Sequence, residues 1–356
     1  MRSGWAGLCI ALGLLSTACG VDGTVGAPSE AHAGTSDPGD HTSSTPKRAF
    51  SKDQHAHDDV AAATLARGIE AISAELIDVR AGRPSPACRS GTAIIGGTHT
   101  REWLDVDRQV IVHLPAHTTA GPPPVVFSLH GSAASGASHD AWLNFSEPAA
   151  DRGYVVLVPE GMPPTEEAPL QVWELFPGIY PDDPGYLASL VDWIGESACV
   201  DLDRVFVAGF SNGAALSNVV ACHTEGRFRA IGAVAAQRFP LLCPSGPVSV
   251  LGIHGTDDWV VPYEGGPLLR RPTIVMPPVE ETFDDWAEVA GCDPEPVIEP
   301  VTPDVRLHRW VRCVAGAEVM LYEVVGGGHA WPSPEDPFAP ATIDATSLLL
   351  DFFDLH

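Results

Sequence analysis

The sequence predicts an α/β fold: a mostly parallel, doubly wound sheet with helices on both faces. Three observations predict it. Apolar runs of strand length recur from Cys88 onward, stretches of helical spacing separate them, and 356 residues with 45% hydrophobic content can fill one large core. The expected strands are 109–114 (QVIVHL), 125–129 (VVFSL), 154–159 (YVVLVP), 204–209 (RVFVAG), 230–235 (AIGAVA), 248–253 (VSVLGI) and 318–325 (EVMLYEVV). Several are nearly continuous apolar runs, as a strand requires when both of its faces are covered. Helices are expected near 185–198, 212–222, 280–290 and 341–354. Ligands of such sheets bind beyond the carboxyl ends of the strands, so chemistry is sought just after each one.

The segment before Cys88 has a different character. Arg2 and the apolar run Trp5 to Leu15, too short to span a bilayer, read as a signal peptide over residues 1–18. Leu15-Ser16-Thr17-Ala18-Cys19-Gly20 resembles a bacterial lipobox, with Ser16 where lipoboxes usually carry Leu. That resemblance implies a lipidated Cys19 as the mature N-terminus; an ordinary secretory cleavage beside a cysteine is the other reading. Residues 20 to about 56, rich in Gly, Ser, Thr, Pro and Asp, read as a flexible tether. Leu65, Ile69, Ile72, Leu76 and Val79 keep a 4-3-4-3 spacing, which predicts one amphipathic helix over 58–79. His55 and His57 before Asp58 and Asp59 read as a solvated helix entrance rather than a metal site. The expected organisation is therefore a signal (1–18), a lipidated N-terminus with linker and helix (19–87), and a catalytic domain (88–356).

Composition excludes several roles. The formal net charge is −26, and Lys47 and Lys52 are the only lysines. Such a surface repels nucleic acid and anionic head groups, so membrane contact is expected only through the lipid. The 35 Gly and 33 Pro follow no period, which removes collagen-like and repeat architectures. Setting aside Cys9 and Cys19 leaves Cys88, Cys199, Cys222, Cys243, Cys292 and Cys313, an even set that predicts three disulfides in an exported chain. Spacing does not choose among the pairings. None forms a C-x-x-C pair, and no metal or cofactor is implied.

The chemistry is carried by three loops. After the strand at 204–209 comes Gly209-Phe210-Ser211-Asn212-Gly213, running directly into a helical stretch. A G-x-S-x-G match gains force from that strand–turn–helix context, in which the glycines admit a strained turn and the helix N-terminus sets free N–H groups beside the serine. A serine hydroxyl is a poor nucleophile at neutral pH and needs a base, which in turn needs an orienting carboxylate. In α/β hydrolases these follow in the order serine, acid, histidine. His254-Gly255-Thr256-Asp257-Asp258 ends the strand at 248–253, and Gly326-Gly327-Gly328-His329 ends the strand at 318–325. The expected triad is thus Ser211, His329 and either Asp257 or Asp258, neighbours that spacing does not separate.

His254, beside Gly255 at a strand end, reads as a buried histidine that bonds its loop. His130 lies after the wrong strand for a base and reads as structural. The oxyanion formed in acyl transfer needs two N–H donors. The backbone amide of Asn212, directly after the nucleophile, is one candidate, and the amide of Ser132, in the loop Leu129-His130-Gly131-Ser132, is the other.

Together these motifs resemble one family, the exported α/β-hydrolase esterases that group poly(3-hydroxybutyrate) depolymerases with feruloyl and acetylxylan esterases. The matching pieces are Leu129-His130-Gly131, Pro159-Glu160-Gly161, Arg204 to Gly213, His254 to Asp258 with Val261-Pro262-Tyr263, and Gly327-Gly328-His329-Ala330-Trp331-Pro332. The resemblance covers the chain from about Cys88 onward. It selects Asp258, fourth after the motif histidine, and implies the pairs Cys222–Cys243 and Cys292–Cys313, leaving Cys88–Cys199. Ala214-Ala215, where the family often has Gly-Met, and the extra charge of Asp257 are departures.

The implied activity is serine carboxylic ester hydrolysis through an acyl-enzyme, on a polyester, a plant cell-wall ester or a short-chain ester outside the cytoplasm. Only 27 residues follow His329, so no appended polymer-binding domain is expected, which disfavours crystalline polyester. Trp173, Trp259 and Trp331 are candidates to line an acyl or aromatic pocket; Trp173 reads equally well as packing. Rival readings are a serine peptidase of the prolyl-oligopeptidase kind and a surface-anchored binding lipoprotein that kept the scaffold without activity.

Overall fold

The computed structural model describes residues 82–117, 121–162, 171–238, 242–269, 271–336 and 341–356. The segments expected to be a signal peptide and a tether, Cys19, and the expected helix at 58–79 lie outside the described residues.

Twelve strands alternate with helices along the described chain. The strands are β1 (Gly97–Trp103), β2 (Val106–His113), β3 (Val125–Leu129), β4 (Val155–Pro159), β5 (Val205–Phe210), β6 (Ala230–Val234), β7 (Ser249–Gly255), β8 (Gly266–Leu268), β9 (Arg271–Met276), β10 (Val297–Thr302), β11 (Val305–Trp310) and β12 (Val319–Val324). The helices are α1 (Ala87–Ser90), α2 (Gly136–Leu143), α3 (Ser146–Asp151), α4 (Asp183–Ser197), α5 (Asn212–His223), α6 (Val279–Val289) and α7 (Ala345–Asp354). Ten strands form one sheet in the order β1-β2-β4-β3-β5-β6-β7-β12-β11-β10. The six from β4 to β12 run parallel, and the flanks β1, β2, β11 and β10 are antiparallel. This is the α/β-hydrolase fold, with an antiparallel wing at each edge.

Alternation along the strands explains the layers, because successive side chains point to opposite faces. Val125, Phe127, Val205 and Val207 join one core cluster with residues of α4, α5 and α6, including Leu187, Leu216 and Phe283. Val126, Val156, Phe206 and Ala208 join a second cluster with residues of α2, α3 and α7, including Leu143, Ala149 and Leu349. Both faces are thereby dry, and β3, β4, β6 and β7 are buried at every position.

Two expectations change. Residues 82–87, assigned from sequence to the linker, pack onto the domain: the Ser85 hydroxyl donates to the Ala198 carbonyl at 2.8 Å and the Arg83 amide to Asp201 at 2.9 Å. Strands β1, β8, β9, β10 and β11 add antiparallel structure that the apolar runs do not mark; β10, for example, is exposed along nearly its whole length. The disulfides are Cys88–Cys199, Cys222–Cys243 and Cys292–Cys313. The first joins α1 to the segment after α4, closing a loop of 111 residues, and the other two each span 21. Three disulfides suit an oxidising, extracytoplasmic setting.

Candidate active site

Ser211 stands between β5 and α5 with φ 55° and ψ −119°, a conformation that a side chain tolerates only when its surroundings enforce it. The flanking glycines supply the enforcement. A Cβ on Gly209 would lie 2.4 Å from the Gly213 carbonyl group, and one on Gly213 would lie 2.4 Å from the Leu129 oxygen. Strand, elbow and helix therefore interlock only where both positions lack a side chain. The Ser211 amide donates to the Val234 oxygen at 2.9 Å, which fixes the turn to β6.

The loops after β7 and β12 bring two more side chains to this edge. His329 Nδ1 lies 2.7 Å from Asp258 Oδ2, and its Nε2 lies 3.0 Å from Ser211 Oγ. With the imidazole proton on Nδ1, donated to the carboxylate, the Nε2 lone pair faces the serine hydroxyl. Asp258 is buried, and its Oδ1 accepts the amides of Val260 at 2.9 Å and Val261 at 2.8 Å. Burial pushes the carboxyl up, but hydrogen bonds from His254 and His329 and the backbone outweigh it and hold the group well below the usual carboxylate range. Asp258 is therefore a charged carboxylate at neutral pH. Asp257 is exposed and reaches neither histidine.

His254 is buried and donates from Nε2 to the Val261 carbonyl at 2.9 Å, holding the loop; the same nitrogen lies 3.3 Å from Asp258 Oδ2. That second contact has no signature in spacing. His130 is likewise internal. Its Nε2 accepts the Gly161 amide at 2.9 Å, so its proton sits on Nδ1 and is donated to the Gly131 carbonyl at 2.8 Å. Burial, reinforced by nearby Arg108, lowers its pKa to about 4. Gly161 is required there because a Cβ would lie 3.0 Å from the His130 ring and 2.6 Å from the Val172 oxygen.

This network seats the loop Leu129–Ser132 against the elbow. A Cβ on Gly131 would come within 3.3 Å of Ser211 Cβ. Ser132 follows as an exposed residue, and Asn212 begins α5; neither backbone amide is engaged by another described residue. The Asn212 side chain accepts the Trp173 amide at 2.6 Å and donates to the Trp173 carbonyl at 3.3 Å.

The tryptophans sort differently from the expectation. Trp173 is buried and donates its indole N–H to the His130 carbonyl at 2.8 Å, so it braces the loop instead of lining an open pocket. Trp331 is also buried, packed near Phe145 and donating to the Thr346 hydroxyl at 3.1 Å. An indole whose face and N–H are used internally presents little to a substrate, which corrects the pocket role expected of Trp331 and favours the packing alternative for Trp173. Trp259 is 67% exposed. Sequence reasoning missed Phe210, whose ring centroid lies 5.1 Å from that of His329, and Trp142, which is 54% exposed and meets Phe210 edge-on at 5.3 Å. Phe210 sits inside the G-x-S-x-G signature; Trp142 lies on α2, a helix without strong periodicity. Also missed was Arg108 on β2, buried 2.6 Å from Asp183 and donating to the Glu160 carbonyl at 2.7 Å behind the His130 loop.

No protein-family model matches the chain. It is 29% identical over 237 residues to feruloyl esterase B of Piromyces equi, covering 63% of this chain and 42% of that protein's length. It is 25% identical over 279 residues to feruloyl esterase D of Neurospora crassa, covering 74% of this chain and 89% of that one. The fold matches that of acetyl xylan esterase from Aspergillus awamori with a TM-score of 0.53 at 15% identity, covering 73% of this chain and all of that one. These matches support a carboxylic ester hydrolase, in keeping with the family resemblance of the motifs.

Proposed function

We propose that this α/β hydrolase, a relative of the feruloyl esterases, cleaves carboxylic esters through a serine acyl-enzyme with Ser211 as nucleophile. The observation that carries the reading is the unbroken hydrogen-bonded line from Asp258 through His329 to Ser211, at 2.7 and 3.0 Å. His329 Nε2 takes the hydroxyl proton as Ser211 Oγ bonds to the ester carbon, and the carbonyl electrons move onto oxygen. The amides of Asn212 and Ser132 hold that oxyanion. The imidazolium, steadied by the Asp258 charge, gives its proton to the leaving alkoxide, and the carbonyl re-forms as an acyl-enzyme. Water then repeats the sequence and releases the acid and the free serine.

Esters of hydroxycinnamic or acetic acid on plant cell-wall saccharides are the preferred substrates in this reading, ahead of polyhydroxybutyrate-type polyester. The names of the relatives and the aromatic wall of Phe210 and Trp142 beside His329 support that order. We place the enzyme outside the cytoplasm, tethered through lipid on Cys19; a Cys19→Ala variant is then expected in the soluble rather than the detergent phase.

The direct test is Ser211→Ala. Its kcat on p-nitrophenyl acetate should fall by about 10⁴–10⁶, and labelling by a fluorophosphonate probe should vanish. Turnover that survives the substitution removes Ser211 as nucleophile. A comparison of methyl ferulate, acetylated xylan and amorphous polyhydroxybutyrate tests the substrate order.

A further inference from the structure

Ionisable side chains converge a second time outside the relay, where the antiparallel wing meets α6. His308 on β11 and Glu323 on β12 are both buried, and His308 Nε2 lies 2.9 Å from Glu323 Oε2. The pairing register explains the meeting: Arg306 is directly opposite Glu323, so His308, two residues along, projects to the same face. Glu280, in the first turn of α6, completes the group. One ligand atom from each of Glu280, His308 and Glu323 lies within 4.8 Å of the other two.

Two further observations point outward from this cluster. A cavity opens onto it, lined among others by Glu280, His308, Asp284 and Glu295, so solutes have a path to the imidazole. The charges around it are unbalanced. Four carboxylates, Glu280, Glu323, Asp284 and Glu295, surround the site, against Arg306, which lies 3.2 Å from Glu323 and is half exposed. An ordinary His–Glu–Arg cluster would account for Glu323. Glu280 has a partner of its own, the Tyr263 hydroxyl, which donates to its Oε1 at 3.2 Å; neither contact accounts for an open acidic cavity beside a buried imidazole.

We propose that Glu280, His308 and Glu323 bind a divalent first-row transition metal, of which zinc is the probe. One nitrogen and two carboxylates form a donor set suited to zinc, whereas calcium prefers six to eight oxygens. The 2.9 Å between Nε2 and Oε2 is close to the roughly 3.0–3.4 Å that separates two ligands on one metal with bonds of about 2.1 Å. Binding requires the neutral imidazole tautomer with its proton on Nδ1, so that the Nε2 lone pair is free for the ion and the Nε2–Glu323 contact is replaced by one bond from each group to the metal. The ion would tie α6 to β11 and β12, with water filling its remaining positions. None of this rests on the esterase reading, and its failure would leave that reading intact.

The test uses the whole mature protein, stripped with chelator and then dialysed against zinc. One zinc per chain by elemental analysis, a calorimetric Kd in the micromolar range or tighter, and a rise in Tm are expected. Glu280→Gln, at an exposed position that should not disturb folding, is expected to weaken zinc binding at least tenfold and to abolish the Tm rise. It should leave p-nitrophenyl acetate turnover unchanged. Zinc well below one per chain overturns the proposal, as does zinc bound equally by Glu280→Gln, which would place the ion elsewhere.

Discussion

The parallel edge and the antiparallel wing each join an imidazole to a buried carboxylate, but they present the pair differently. At the edge, Asp258 and His329 come from loops that leave β7 and β12, and His329 keeps its second nitrogen for Ser211. In the wing, His308 and Glu323 come from within strands whose neighbours confine them. A loop can aim a group at an incoming substrate while its partner stays dry. A strand can only stack groups across its face, so what reaches the wing pair has to arrive through a cavity.

The largest expected effect tests that distinction at the carboxylate. In Asp258→Asn the amide cannot balance an imidazolium and favours the wrong tautomer, so kcat should fall by about 10³–10⁴. Asp257→Asn should stay within about twofold, because that side chain is exposed and touches no imidazole. Glu323→Gln should leave kcat alone and lower stability by about 1–3 kcal/mol, as expected when a buried hydrogen-bonded group loses its charged partner. Steady-state kinetics and urea unfolding on the three variants decide this. Equal, mild losses for both aspartates would move the acid elsewhere.

The same contrast explains what the sequence made legible. Each part of the relay sits at or just past the end of a buried strand: Gly209 to Gly213 at the end of β5, His254 to Asp258 at the end of β7, and Gly327-Gly328-His329 after β12. Chain order and local pattern therefore locate these residues. Asp258 was separable from Asp257 only by resemblance, because which neighbour turns inward depends on where the Val260 and Val261 amides point. The wing is the opposite case. Glu280, His308 and Glu323 belong to three elements and share no motif, and β10 has too little burial to announce itself. Pattern does not separate a pocket role from packing at Trp173 or Trp331, because an aromatic beside a motif looks the same whether it faces substrate or braces a loop. Only their internal N–H partners tell the two apart.

A second prediction concerns the buried neutral histidines of the parallel core. Burial lowers His130 to about 4 and His139 to about 3, the latter helped by neighbouring His130. Both folded values lie below the unfolded value near 6.5. As pH falls from 6.5, the unfolded chain therefore binds protons that the folded chain refuses, and stability is lost. The slope is about 1.4 kcal/mol per pH unit for each histidine, ending near pH 4 for His130 and near pH 3 for His139. Asp258, held low in the folded state, adds a loss below about pH 4. Urea midpoints measured from pH 7 to 4 should decline steadily, and His139→Asn should shallow the slope by about one proton. A flat profile would mean that these rings are charged or solvated in the native state.

The smallest expected effect lies at the rim of the parallel edge, where Trp142 leans on Phe210 and Phe210 leans on His329. An edge-on aromatic pair contributes about 0.5–1.5 kcal/mol beyond its buried area. Removing the exposed indole should cost about that much wherever a substrate ring replaces solvent on its free face. Trp142→Ala should therefore raise KM for methyl ferulate by about three- to tenfold, with kcat within about twofold, because binding is lost equally from ground and transition states. Ethyl acetate has no ring to stack, so its kinetics should not change. If both esters lose kcat together, Trp142 acts by holding Phe210 against the imidazole, and the aromatic wall belongs to the relay rather than to the substrate.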